Sequence, residues 1–134
     1  MHKVLFASTM LVLLLCGFSC QKSKTGTLEN TSWRLTSIVE GGVTESVPTD
    51  VTITAAFKAG KVAGSGSCNT YSATYTATGS QLNIGPIGAT KMFCVANNWE
   101  SRYFKVLQIG QSWKIAGAIL TVQATDGSLV FGRP

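Results

Sequence analysis

Two stretches decide how this chain folds: Gly64-Ser65-Gly66-Ser67-Cys68-Asn69-Thr70-Tyr71 and its counterpart Ala89-Thr90-Lys91-Met92-Phe93-Cys94. Each ends a β-rich run and each carries one cysteine, so the natural reading is a fold pinned at one point by a Cys68–Cys94 bridge. Gly64-Ser65-Gly66-Ser67 has the composition of a phosphate cradle, but such loops gain affinity by opening a helix, and this one leads into a strand pattern. It reads instead as a bulge or sharp corner where a sheet bends.

The alternation on either side of these stretches is that of short strands. Thr31–Val39 carries Trp33, Leu35 and Val39 on one parity, and Val51–Phe57 is β-branched with period-two apolar placement. Lys61–Gly64, Thr70–Ala77 and Gln81–Ile84 continue the pattern, with turns at Gly60 and at Thr78-Gly79-Ser80. After residue 110, Ser112–Ile115, Ala118–Val122 and Ser128–Phe131 supply three more strands, and Asp126-Gly127 marks a hairpin that accommodates positive φ. The one strong helix signal runs from Asn97 to Ile109. Asn97 stands at the N-cap, Glu100 three places on suggests a capping box, and Gly110 is placed to end the helix. Trp99, Tyr103, Val106 and Leu107 share one face, which should pack on the sheet. The fold class is therefore α+β: a curved antiparallel sheet of about eight strands, forming a partly closed barrel packed on one helix.

The start of the chain sets the compartment. Met1-His2-Lys3, an apolar block from Val4 to Leu15 and the exit Gly17-Phe18-Ser19-Cys20 have the order of a secretory signal peptide. Residues 1–19 are read as that signal. Cys20 is read as the acylated first residue of a bacterial lipoprotein, residues 20–27 as a flexible tether, and residues 28–134 as the domain. The mature chain then has 115 residues, enough for one core, and a net charge of +4 from ten basic and six acidic residues. The basic residues are scattered along the sequence, whereas nucleic-acid binders cluster them, so no nucleic-acid partner is expected.

Several chemistries are excluded by composition. The only histidine, His2, lies in the leader, so the domain can build neither a Ser-His-Asp triad nor a Cys-His dyad nor a histidine metal site. Cys68 and Cys94 are the two cysteines left after export and anchoring, and an even pair in an exported domain normally bonds. A redox-active or metal-binding pair is the weaker alternative, since no C-x-x-C is present. Glu100 and Asp126 are accounted for by a capping and a turn role, which leaves no obvious carboxylate pair. The expectation is a protein without enzymatic activity, metal or cofactor.

Asn30-Thr31-Ser32-Trp33-Arg34-Leu35, Gly66-Ser67-Cys68-Asn69-Thr70-Tyr71 and Thr90-Lys91-Met92-Phe93-Cys94 resemble the N-x-x-W-x-L, G-x-x-C-N-x-Y or G-C-N, and T-x-M-x-C elements of the META domain family, which includes the HslJ-type heat-shock lipoproteins. The resemblance runs from about Leu28 to Phe131 and is completed by the aromatic-rich helix after Glu100. It departs at Ser67, where many members have Gly, and at Val95, where Pro is common. It implies the Cys68–Cys94 bridge, a small barrel wrapped on a helix, and an envelope lipoprotein linked to stress tolerance, motility or secretion. The expected setting is the outer membrane, reached through the lipid anchor, with the protein a monomer. A binding surface, if the protein has one, is expected at Asn69, Tyr71, Thr90, Lys91 and Met92, which the bridge draws together. The competing reading is that Asn69 and Thr90 satisfy backbone groups while Met92 fills core. A second functional expectation is a pilot or chaperone-like lipoprotein holding a partner peptide in the barrel mouth, in a cleft lined by helix residues such as Phe104.

Overall fold

The structure is a computed structural model that describes residues 27–95 and 98–134. The expected signal peptide, Cys20, most of the expected tether and the expected cap Asn97 lie outside the described residues.

Ten strands and one helix follow in the order β1 (Thr31–Glu40), β2 (Val43–Ser46), β3 (Thr54–Lys58), β4 (Lys61–Ser65), β5 (Thr70–Thr78), β6 (Gln81–Ile84), β7 (Gly88–Ala89), α1 (Trp99–Gln108), β8 (Gly110–Ala116), β9 (Ile119–Ala124) and β10 (Gly127–Gly132). Eight of the strands close on themselves in the cycle β1-β3-β4-β5-β6-β8-β9-β10, because β10 also pairs with β1. The barrel is thus fully closed, and closure removes the sheet edges that would otherwise invite pairing with other chains. β2 and β7 lie outside the cycle, paired to β1 and β5 respectively. β1 serves both neighbours on one side: its first residues pair with β3 and its last with β2.

The alternating apolar residues point inward. Trp33, Leu35, Phe57, Val62, Tyr71, Leu120, Val122, Leu129 and Phe131 are all buried in one core, as period two requires of strands with one wet face; in β1 a bulge between Leu35 and Ser37 shifts the parity, so Ile38 is buried in place of the expected Val39, which is half-buried. Two strands escaped the sequence pattern for a physical reason. All four side chains of β2 are exposed, so it shows no alternation, and β7 is only two residues long. The strand expected from Val51 begins later, at Thr54, because the Val51 N–H is taken by the Pro48 carbonyl in a turn. Gly127 does not need a positive φ; glycine is required there because a Cβ would collide with the Val39 carbonyl.

Helix α1 buries Trp99, Tyr103, Val106 and Leu107, the face expected from its periodicity. Tyr103 packs edge-on against both Tyr71 and Phe131, with ring centroids 5.5 and 6.2 Å apart. At the other end of the helix, the Gln108 side chain donates to the carbonyls of Ile84 and Gly85 and accepts from the Ile87 N–H. That clamp lies beside the thinnest seam of the barrel, where β6 meets β8 through the single register pair Gln81–Ser112 and the Trp113 N–H bonds the Ser80 carbonyl at 2.9 Å.

The antiparallel order fixes two ends. The β3–β4, β5–β6 and β8–β9 turns gather at one, with Thr27 and the start of β1. The β4–β5 corner, the β1–β2 and β9–β10 turns and the start of α1 gather at the other. These are called the leader end and the bridge end.

Candidate functional site at the bridge end

The corner between β4 and β5 is built on tight backbone geometry. The Gly66 N–H bonds the Asn69 carbonyl at 2.8 Å, and Ser67 in between takes φ +96°, a conformation that favours glycine. This explains the Ser67 departure: the backbone adopts the glycine conformation in spite of the side chain. Cys68 and Cys94 are bonded across the corner, with their Cα atoms 6.0 Å apart, within the usual disulfide range.

Asn69 is the hub of this corner. Its side-chain carbonyl accepts from the Thr90 hydroxyl at 2.9 Å and from the Met92 N–H at 2.7 Å, while its amide donates to Glu100 Oε1 at 2.7 Å. The other oxygen of Glu100 accepts the backbone N–H groups of Cys68 at 3.1 Å and Asn69 at 2.7 Å. One helix carboxylate therefore satisfies three donors of the corner. This is the residue that sequence reasoning assigned to a capping box; no side-chain cap bond is made by Asn98, the residue at the helix N-cap position, and the Glu100 carboxylate turns to the corner instead. Gly66 makes room for it, since a Cβ there would come within 2.7 Å of Glu100 Oε2 and 2.8 Å of Phe104.

The five expected surface residues divide. Asn69 is 6% exposed and Tyr71 4%, so both are interior groups and neither belongs to a surface. Tyr71 donates its hydroxyl to the Thr54 carbonyl at 2.8 Å and lies 2.5 Å from the Tyr103 hydroxyl; burial pushes both phenols up from their ordinary value, which keeps them neutral. Thr90 is exposed as a residue, but its hydroxyl serves Asn69 and accepts from the Thr70 N–H. Lys91 and Met92 are exposed, Met92 at 62%, so the reading of Met92 as core filler is overturned.

Exposure is greatest just beyond them: Phe93 is 97% exposed and Val95 89%. The cause is local. The Met92 backbone is anchored by its N–H to Asn69 and the Cys94 side chain by its bond to Cys68, so the segment is fixed on both sides of Phe93 while its ring is turned out. The sequence gives a faint sign of this knuckle, namely apolar residues in a segment with neither helical nor strand period. On the helix, Arg102 lies over the Trp99 ring at 4.7 Å and pairs with Glu40 at 2.7 Å and Glu45 at 2.9 Å, tying the helix to β1 and β2.

At the leader end, Glu29 is a carboxylate to which sequence reasoning gave no role. One of its oxygens accepts from the Tyr75 hydroxyl and the other from the Ala59 N–H, and these bonds hold its pKa below the ordinary 4.5. Burial and the same carboxylate push the Tyr75 phenol up to about 12. Trp113, in the wall nearby, has a buried indole N–H with no hydrogen-bond partner. Among the described residues no three His, Cys, Asp or Glu side chains converge to hold a metal ion, and no helix is long and apolar enough to cross a membrane.

Comparison with solved structures finds the same fold in distant proteins. A protein from Burkholderia xenovorans, solved by NMR, superposes with a TM-score of 0.70 at 22% identity, covering 80% of this chain and 83% of that one. A DUF4847 family protein from Bacteroides vulgatus superposes with a TM-score of 0.58 at 15% identity over 78% of this chain and 93% of that one. A search of curated proteins finds no match. The sequence model of the META domain matches residues 26–133, which spans the barrel, the helix and both bridged cysteines: the chain belongs to the META domain family.

Proposed function

We propose that this META domain protein is a lipid-anchored component of the bacterial cell envelope, carried at the outer membrane by acylation of Cys20. It acts as a monomer and without catalysis, binding another envelope protein or peptide through the Lys91–Val95 knuckle and so supporting the envelope under stress. The observation that carries this reading is the presentation of Phe93, an almost fully exposed aromatic ring held between two anchored residues. Exposed apolar groups of this kind mark interaction sites, and rigid aromatic anchors lose little entropy on binding. The knuckle stands at the end of the barrel opposite Thr27, where the leader joins, so an anchored protein turns it away from its own membrane.

The alternative, a partner peptide held in the barrel mouth, finds no support at the helix end. Tyr103 and Leu107 are fully buried there, and Phe104 packs on Tyr71 and Tyr103.

Two measurements test the proposal. Intact mass of the protein from its native envelope, before and after reduction, should show an acylated chain starting at Cys20 with two thiols released only by reductant; an unlipidated chain removes the anchor. Replacing Phe93 by Asp should abolish the contribution to survival of envelope stress with no change in thermal unfolding, whereas wild-type survival with this variant removes the knuckle.

A further inference from the structure

The basic residues are scattered along the sequence, but the barrel gathers five of them toward the leader end. Lys58 and Lys61 flank the β3–β4 turn, Lys114 stands just before the β8–β9 turn, and Arg34 on β1 pairs in register with Gly132 at the end of β10. Arg133 follows Gly132 and lies over the Trp33 ring at 4.0 Å. All five are exposed, and none pairs with a carboxylate among the described residues, where the ion pairs are those of Arg102 with Glu40 and Glu45. Glu29 is the carboxylate at this end, whereas Glu40, Glu100 and Asp126 stand at the bridge end. Lys58 and Lys61 are, moreover, register partners, and like charges set directly opposite each other on paired strands repel. The other neighbour of Lys61 is the uncharged Thr74. The fold therefore bears a repulsion that negative charge outside the barrel would relieve.

The same end carries an apolar tip. The β8–β9 hairpin turns through Ala116-Gly117-Ala118-Ile119, all exposed, and Ile119 is 50% exposed in a strand whose Leu120 and Val122 are fully buried. One row across the sheet runs Ala116, Ile119, Gly132, Arg34, so Ile119 lies between two residues too small to cover it, with a cation one strand further on. The tips of the other two hairpins, Ala59-Gly60 and Gly79-Ser80, are small and uncharged, which lets a broad surface approach. Cations arranged around a small apolar tip complement a lipid surface, where attraction to anionic headgroups adds to the burial of apolar area. We propose that the leader end docks on a membrane surface of anionic lipid, with Ile119 entering the headgroup layer. The path of the chain agrees, since the residues before Thr27 join the barrel at this end. The docking rests on the charge and shape of the end face, and neither on acylation of Cys20 nor on the knuckle, so each can fail without the others.

The test is hydrogen exchange of the protein purified from its native envelope, with an excess of nanodiscs made either of phosphatidylcholine or of phosphatidylcholine with about one third phosphatidylglycerol. Both kinds of disc hold an acylated chain equally well, so the difference between them reads the end face alone, and intact mass reads the anchor separately. Exchange in the β3–β4 and β8–β9 turns should slow about fivefold or more in the anionic discs, with the Lys91–Val95 segment unchanged, and about 0.5 M salt should reverse the effect. A Lys58→Gln/Lys61→Gln/Lys114→Gln variant, altered only at exposed positions, should keep the native Tm and lose the slowing; Ile119→Ser should lose part of it. Equal exchange in the two kinds of disc overturns the proposal and leaves a soluble acidic polypeptide as the complement of these cations. Undiminished slowing in the triple variant overturns it as well.

Discussion

Glu100, on the first turn of the helix, holds Asn69, 31 residues earlier, by two hydrogen bonds of 2.7 Å, one from the Asn69 backbone N–H and one from its side-chain amide. Through Asn69 the same carboxylate fixes Thr90 and Met92, so the helix, the β4–β5 corner and the knuckle form one hydrogen-bonded unit. Replacing Glu100 by Ala strips acceptors from the N–H groups of Cys68 and Asn69 and should cost about 2–4 kcal/mol, since part-buried donors are left unsatisfied. Urea unfolding measures this. A cost below about 1 kcal/mol would mean that the bridge holds the corner without the carboxylate.

Gly66 faces the same carboxylate. Its replacement by Ala puts a methyl group within 2.8 Å of Glu100 Cγ and Phe104, and should destabilise by about 1–3 kcal/mol. In a double-mutant cycle with Glu100→Ala the penalty should fall, because one of the two obstacles is gone. Strict additivity would place the strain elsewhere.

Ser67 should respond in the opposite direction. At φ +96° a serine is strained and a glycine is not, so Ser67→Gly is expected to stabilise by about 1 kcal/mol and raise the Tm by a few degrees. Its hydroxyl makes no hydrogen bond that the change would remove, because the bond at this residue is its own N–H donating to the Ser65 hydroxyl. A lower Tm would show that the corner depends on the serine side chain.

Reduction of Cys68–Cys94 opens a loop with a sequence separation of 26 and should lower stability by about 3–4 kcal/mol in the chain-entropy account. The first amide to lose hydrogen-exchange protection should be that of Met92, since its acceptor Asn69 stands next to one bridged cysteine and Met92 lies two residues from the other. Unchanged protection of Met92 in the reduced protein would assign the pinning to Asn69 alone.

Glu29 gives a pH signature. Its folded pKa lies below the ordinary 4.5, because the Tyr75 hydroxyl and then the Ala59 N–H favour the anion. The stability it contributes is therefore present above about pH 4.5 and is lost as the pH falls through the lower folded value. Glu29→Gln should lower the urea midpoint at pH 7 and make little difference at pH 3. Equal losses at both pH values would show that the charge is irrelevant to the turn. Tyr75 acts at the other extreme: its raised pKa of about 12 favours the folded state below pH 10 and is lost as the pH rises through 12.

Much of the architecture was legible because strands with one wet face write their burial into the sequence. Trp33 and Leu35, Tyr71, Ala73 and Tyr75, and Leu82 and Ile84 alternate in the chain and are buried in the barrel. The helix face of Trp99, Tyr103, Val106 and Leu107 was legible for the same reason at a different period. β2 was not, since a strand with both faces in water carries no such pattern. The candidate site was half legible: Asn69, Thr90 and Met92 were placed together by the bridged cysteines, but the inward turn of Asn69 and Tyr71 was not. Phe93 went unremarked between the motif residues that flank it.

Periodicity, turn residues and the two cysteines of the domain determine by themselves that this chain forms antiparallel strands, one amphipathic helix and a corner that can be bridged, because those properties depend on residues near in sequence or on a pair with no other partner. The tertiary structure alone decides that β10 returns to β1 and closes the barrel, that Glu100 leaves the helix end to serve a turn 31 residues away, and that Glu29 faces Tyr75 across 46 residues. Each is a pairing between distant groups, chosen by which buried donors and acceptors would otherwise stand unsatisfied once the core has collapsed.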